Sequence, residues 1–202
     1  MQKYFYWLPP YFGVLIGLLI LKNAWAGVLG FHLGILLSLI LAKPNISPKI
    51  LFKSKNIKWV LINIFLCGSS GFVIYFARSL FGITENISLQ LAELELNKST
   101  LIPFIVYFSL VNPFLEEYFW RAVFGSETKS FYFGDLAYAG YHGLVLFGKI
   151  HPFAIIFAFV CLTIISWFWR QVQRQEEGLL APVLGHMMAD FSIMIAVYFL
   201  II

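Results

Sequence analysis

Asn112-Pro113-Phe114-Leu115-Glu116-Glu117-Tyr118-Phe119-Trp120-Arg121 sets three ionisable groups inside a run of roughly two dozen otherwise apolar residues. A charged side chain near the middle of a bilayer costs about 2.5–3.5 kcal/mol on insertion scales, so a block that retains three of them points to a functional site. Glu117 and Arg121 are four residues apart, on one helix face in the favourable acid-before-base order, and can neutralise each other. Glu116 lies about 100° round the helix from Glu117 and is left to face a partner from another helix. Pro113 removes an amide donor and disfavours the helical conformation at Asn112, which predicts a kink or restart beside the carboxylates. An ion pair that only locks two helices together accounts for Glu117 and Arg121 but leaves the second carboxylate unexplained.

The same apolar character extends over the whole chain. Its 202 residues are 60% hydrophobic, 19% aromatic and only 12% charged, with a mean hydropathy of +0.83. Apolar blocks long enough to cross a hydrocarbon core of about 30 Å imply an all-α, polytopic transmembrane helical bundle. No length remains for a separate soluble domain, so residues 1–202 read as a single integral membrane domain. Cys67 and Cys161 each sit inside an apolar block without a CxxC pattern, which indicates packing rather than a disulfide framework or zinc knuckle. The net charge of +4 has a topological explanation, because Lys43, Lys49, Lys53, Lys55 and Lys58 crowd one connection between blocks. Attraction to anionic lipid is a second reading of that cluster, and no nucleic-acid signature accompanies it.

About seven spans are expected, over residues 4–21, 24–42, 59–83, 101–124, 132–148, 153–169 and 179–202. Ala24-Trp25-Ala26 resembles a signal cleavage site, but the preceding block is too long and a second span follows at once, so the first block is read as a transmembrane helix. Gly30 and Gly34 form a small-xxx-small face suited to close helix contact, and His32 between them reads as a packed or singly bonded histidine. Gly68-Ser69-Ser70-Gly71 breaks the G-x-S-x-G pattern and reads as helix packing. Residues 84–99, with Glu85, Glu93, Glu95 and Lys98 among Ile87, Leu89, Leu91, Leu94 and Leu96, fit neither helical nor strand period and predict an external loop with an interfacial helix. Trp167 and Trp169 suit an interfacial belt, and Arg170, Arg174, Glu176 and Glu177 suit the loop after it.

Alternate connections differ in charge. Lys3, the five-lysine loop, Lys129, Arg170 and Arg174 fall on one side, against Lys22, Lys98 and Lys149 on the other. The expected arrangement is therefore N-terminus cytoplasmic; the expected location, which loop charge does not address, is a bacterial cell (inner) membrane. On this topology Glu116 and Glu117 descend toward the side from which His186 and Asp190 rise, so the two sets can meet at similar depth.

Apart from the Glu117–Arg121 pair, the ionisable groups deep in the spans are Glu116, His142, His186, Asp190 and the isolated His32. His186 and Asp190 are four apart and share a helix face, where the carboxylate can orient the ring or both can point at one small group. A carboxylate and a histidine from different helices can hold and deprotonate a water, the general-base step of hydrolysis. A second histidine with a neutral acid or amide can donate to the oxyanion of a tetrahedral intermediate. Residues 101–202 thus hold both halves of a peptide-hydrolysis site.

Glu116-Glu117-x-x-x-Arg121, Tyr138-x-x-x-His142 and His186-x-x-x-Asp190, in that order on successive membrane segments, resemble the CPBP family, also called the Abi or CAAX-protease and bacteriocin-processing family. It includes the Rce1-type glutamic intramembrane proteases. The match runs over about residues 103–195 and implies an Rce1-like core in the C-terminal half. By that resemblance Glu116 activates water with His142, Glu117 and Arg121 support the site, and His186 with Asp190 stabilises the oxyanion. Tyr138 stands where phenylalanine is frequent, and Asp190 where eukaryotic-type members carry asparagine. An ionised aspartate cannot donate to an oxyanion, so Asp190 must either be protonated or act by fixing the His186 tautomer.

The resemblance implies a membrane-associated protein or peptide substrate, whether CaaX-like, a bacteriocin leader or a C-terminal sorting tag. Neither a cofactor nor a bound metal is expected, and no nucleic acid. Glu, two His and Asp are also possible metal ligands, so a metal-dependent membrane protease is the nearest enzyme rival, although HExxH is absent. An immunity or scaffold-like membrane protein, or a proton-coupled carrier using Glu116 and the histidines as a relay, is the non-enzymatic alternative.

Overall fold

A computed structural model describes residues 5–83 and 86–201; Lys3, Tyr4, Glu85 and Ile202 of the expectations above lie outside them. Helices α1 (Leu8–Leu15) and α2 (Ala24–Ala42) form an antiparallel pair, α1 being extended by a π-helical stretch, Ile16–Ile20. Asn23 caps α2 by accepting the Ala26 N–H at 2.8 Å, so Ala24-Trp25-Ala26 is the first turn of a membrane-length helix. The pair is held backbone to backbone. A Cβ on Gly13 would stand 2.2 Å from the Gly30 carbonyl oxygen, and one on Gly34 2.5 Å from the Pro9 carbonyl, which is the close contact the small-residue spacing predicts.

After the lysine-rich connection, α3 (Ile57–Gly68) and α4 (Ser70–Phe76) pack on the last helix, α9 (Leu180–Ile201). Gly71 makes that contact possible: its N–H donates to Ser192 Oγ at 3.1 Å, and any Cβ would collide with the Ser192 carbonyl. The Gly68–Gly71 stretch is therefore packing, as its broken pattern predicts. A six-residue helix, α5 (Ile87–Ala92), lies in the segment without clear period, and Leu96 beyond it is buried against Ala24, Val28 and Leu101. The remaining elements are α6 (Lys98–Phe124), α7 (Phe133–Leu146) and α8 (Pro152–Glu176). α6 packs against α2 and α9, and α7 against α8. No strand occurs among the described residues.

Five helices among the described residues are long and apolar enough to cross a membrane: Ala24–Ala42, Ile57–Phe76, Ser99–Phe124, Pro152–Glu176 and Leu180–Ile201. The first and fifth expected spans correspond to shorter helices, Leu8–Ile20 and the 14-residue α7. At 1.5 Å per residue α7 reaches only about 21 Å, less than a hydrocarbon core of about 30 Å. Large apolar side chains such as Leu33, Ile40, Phe65, Phe72 and Ile156 are more than half exposed, while Asn63, Asn112, Glu116, Glu117, Arg121 and Asp135 are buried. Apolar outside and polar within is the arrangement that lipid as solvent demands.

Four expectations are corrected. α6 continues through Pro113 without interruption, because one missing amide bond is tolerated in a helix held on several sides; the break falls instead at Ser69. Arg170, Arg174 and Glu176 are not in a loop but within α8, and Arg170 is 1% exposed. Trp169 is buried rather than interfacial, whereas Trp167 reaches the Lys129 carbonyl at the surface. Cys67 is a buried packing residue but Cys161 is exposed on the apolar flank of α8.

Arg170 binds Asp135 through two nitrogens, at 3.0 and 2.7 Å, and donates to the carbonyls of Ser126, Thr128 and Ser130. Asp135 in turn accepts the Tyr132 N–H at 2.9 Å and so caps α7. At the same end of the bundle, the Glu176 carboxylate accepts from the N–H groups of Lys55 and Asn56 and from Ser54, tying the lysine-rich connection to the α8–α9 turn. The opposite end gathers Asn23 with Glu95, and Phe81 with His151. Removal of Arg170 would leave Asp135 buried without its counter-charge and take a donor from three carbonyls, of which only Thr128 keeps another, from Gln171. Arg170→Ala is expected to destabilise the fold by about 3–5 kcal/mol, seen as loss of folded yield and of thermal stability in detergent; an unchanged melting temperature would refute the clamp.

Candidate active site

Every site residue expected from the sequence is brought to one place. Glu116 lies eight residues before the end of α6 and His186 six after the start of α9, so both sit about 9–12 Å from the same end of the bundle. Helix α7 adds Tyr138, Tyr141 and His142 from a third side.

Glu117 is the hub of the scaffold half. Its Oε2 accepts from Arg121 Nε at 3.2 Å, as the spacing predicts, and its Oε1 accepts from His186 Nδ1 at 3.0 Å. Arg121 also donates to Ser166 Oγ on α8 at 3.2 Å and lies over the Tyr138 ring. One carboxylate, 0% exposed, therefore joins α6, α8 and α9. His186 is further fixed by stacking on Trp169, whose indole N–H donates to Asn63 Oδ1 at 2.8 Å on α3.

Glu116 is 1% exposed and does not share Arg121. Its Oε1 accepts from the Tyr141 hydroxyl at 2.5 Å, and its Oε2 has no hydrogen-bond partner among the described residues. The same hydroxyl lies 3.1 Å from His142 Nε2, and His142 Nδ1 lies 3.0 Å from the Tyr138 carbonyl. Tyr141 thus stands between the two residues that sequence reasoning paired directly. Phe31 and Trp120 pack on its ring.

Asp190 Oδ1 lies 3.5 Å from His186 Nε2, an ionic contact too long for a hydrogen bond, while Oδ2 accepts from Asn112 Nδ2 at 3.2 Å. Asn112 Oδ1 is 3.0 Å from His32 Nε2, and His32 Nδ1 is 2.9 Å from the Tyr107 hydroxyl. His32 is therefore doubly bonded and belongs to the site's outer network, not an isolated packed ring. With Asn112 accepting, His32 carries its proton on Nε2 and Tyr107 donates to Nδ1.

Tyr107, Asn112, Tyr141, Ser166, Trp169 and Asn63 were not assigned to the site by sequence. Only Asn112 carried a usable signal, a buried amide one helical turn before Glu116. Among the described residues no three His, Cys, Asp or Glu side chains group so as to hold a metal ion.

Because Glu117 holds both Arg121 and His186, loss of the guanidinium would leave a carboxylate buried with half its compensation. Arg121→Ala is expected to reduce folded yield as well as any activity. Unchanged yield and unchanged thermal stability in detergent would show that the buried pair does not support the fold.

Residues 98–192 match the family model described as type II CAAX prenyl endopeptidase Rce1-like. No curated protein and no solved structure matches the chain. The matched segment begins with α6, contains α7 and α8, and ends in α9 two residues after Asp190, so it includes all three motifs. With its apolar, membrane-length helices the chain is an integral membrane protein, and its C-terminal half is an Rce1-like domain of the CPBP family of CAAX proteases.

Proposed function

We propose that this protein is an intramembrane endopeptidase of the glutamic type, hydrolysing a peptide bond in a membrane-associated protein or peptide. The observation that carries the reading is Glu116: a buried carboxylate with one oxygen held by Tyr141 and the other free of any protein donor among the described residues. That free Oε2 is the atom to take a proton from an attacking water. His186 and Asp190 stand opposite as the oxyanion side. Glu117 occupies His186 Nδ1, so Nε2 is the ring atom turned to substrate, and it acts as a donor when the ring carries both protons. The tautomer-fixing role considered for Asp190 is already filled by Glu117, which favours Asp190 as a donor from Oδ1.

Substrates of this class include CaaX-like proteins, bacteriocin leaders and C-terminal sorting tags, presented from the surrounding lipid. Lys43, Lys49, Lys53, Lys55 and Lys129 in the connections, Lys58 in the first turn of α3 and Arg174 in the last turn of α8 lie at one end of the bundle, against Lys22, Arg78 and Lys149 at the other. This asymmetry supports a cytoplasmic position for the first end and for the N-terminus by the positive-inside rule, and the proposed location is a bacterial inner membrane. A cleft of about 560 Å³ bounded by Ile46, Ile50, Gly125, Glu127 and Arg174 reaches Arg121 from that end.

The direct test is cleavage of a panel of membrane peptides by the purified protein. Glu116→Gln is expected to lower turnover by at least about 100-fold while leaving a folded protein that binds peptide; full activity in that variant would end the assignment. At the oxyanion side, Asp190→Asn keeps an acceptor for Asn112 and places an amide donor where Oδ1 stood. Substantial activity is expected for Asp190→Asn and little for Asp190→Ala. A folded, substrate-binding but inactive Asp190→Asn protein would favour a carboxylate–histidine dyad instead.

A further inference from the structure

Counting donors along the row Glu116 Oε1, Tyr141 hydroxyl, His142 Nε2 gives a constraint on its protons. The Tyr138 carbonyl can only accept, so His142 Nδ1 carries a proton, and Nε2 of a neutral ring is then an acceptor. Ionised Glu116 is also only an acceptor. The phenol between them has one hydrogen and two neighbours, at 2.5 and 3.1 Å. With an ionised carboxylate and a neutral ring, one of those two contacts would bring acceptor against acceptor in a buried site.

Both contacts become hydrogen bonds when the row holds one proton more. Either a neutral Glu116 donates to Tyr141, which donates to His142 Nε2, or a protonated His142 donates to Tyr141, which donates to ionised Glu116. The two arrangements contain the same number of protons. They interconvert when two protons each move one step in the same direction, with no phenolate formed.

We propose that Tyr141 carries the carboxyl proton of Glu116 to His142, so that His142 stores that proton rather than binding the attacking water. Both ring nitrogens of His142 are occupied, by Tyr138 and Tyr141, which leaves Glu116 Oε2 as the group that meets water. Once the proton rests on His142, Glu116 is a carboxylate. Its Oε2 takes one proton from water as the water oxygen bonds to the peptide carbon. The same proton passes from Oε2 to the departing nitrogen as the carbon–nitrogen bond breaks, and the row returns to its starting count. The relay rests on the reading of Glu116 as the base, and it adds a positioning residue, Tyr141, that the motif pattern does not include.

Tyr141→Phe removes only the hydroxyl and keeps the ring between Phe31 and Trp120, so the fold is retained. In peptide cleavage its kcat is expected to fall about 100-fold with KM unchanged. Full kcat in Tyr141→Phe together with an inactive Glu116→Gln would overturn the relay alone, whereas full activity in Glu116→Gln would remove the base on which it rests. A second measurement needs no substrate: nitrogen-15 NMR of histidine-labelled protein in detergent. Glu116→Gln is expected to move the His142 Nε2 resonance when Tyr141 is present and to leave it in place in the Tyr141→Phe background. A shift of the same size in both backgrounds, or in neither, would refute the proton coupling through the hydroxyl.

Discussion

A charge inside a membrane must find its opposite there, since no solvent shell can replace it. Glu117 meets that requirement twice, with Arg121 on its own helix and His186 on α9. Arg121 extends the connection to Ser166 on α8, and Trp169 behind His186 extends it to Asn63 on α3. Four helices are thereby bound to the position of one carboxylate. A hydrophobic contact could not do this in lipid, where an apolar face gains little by leaving one apolar neighbour for another. Asp135 on α7 and Arg170 on α8 repeat the device near the end of the bundle and hold the 126–130 connection between α6 and α7.

With Arg121 and His186 both held by Glu117, the adjacent carboxylate is left without a counter-charge of its own. Glu116 and Glu117 are neighbours in sequence, yet the turn of the helix separates their surroundings: Glu117 is enclosed by a cation and a ring, while Glu116 has a phenol on one oxygen and no hydrogen-bond partner among the described residues on the other. Two identical groups acquire different surroundings through their partners alone. The polar network continues outward from Asp190 through Asn112 and His32 to Tyr107, so Asp190 is also positioned by a chain of groups whose donors and acceptors match.

Much of this was legible in the primary structure. Hydropathy and block length are enough for an all-helical membrane bundle, and i, i+4 spacing is enough for the Glu117–Arg121 pair, because both depend only on local geometry. The depth at which α6 and α9 meet also followed from alternating loop charge. The span count was not legible in full, since an apolar block shows where a helix can cross but not where the backbone leaves it, as α7 does after Leu146 in a turn with Gly148 at positive φ. Arg170 was misplaced for the same reason: a charge beyond an apolar run reads as a loop residue until Asp135, 35 residues earlier, is seen to face it.

The sequence by itself determined the solvent of this protein, its helical class and the six side chains that gather at the site, because burying charge in lipid restricts where such residues can occur. Tertiary structure alone decided their pairing. That Glu117 rather than Asp190 holds His186, that Tyr141 separates Glu116 from His142, and that His32 belongs to the network are facts about facing surfaces of α2, α6, α7 and α9. A hydrogen bond is settled by distance and direction between atoms on different helices, and residue spacing within one helix carries neither.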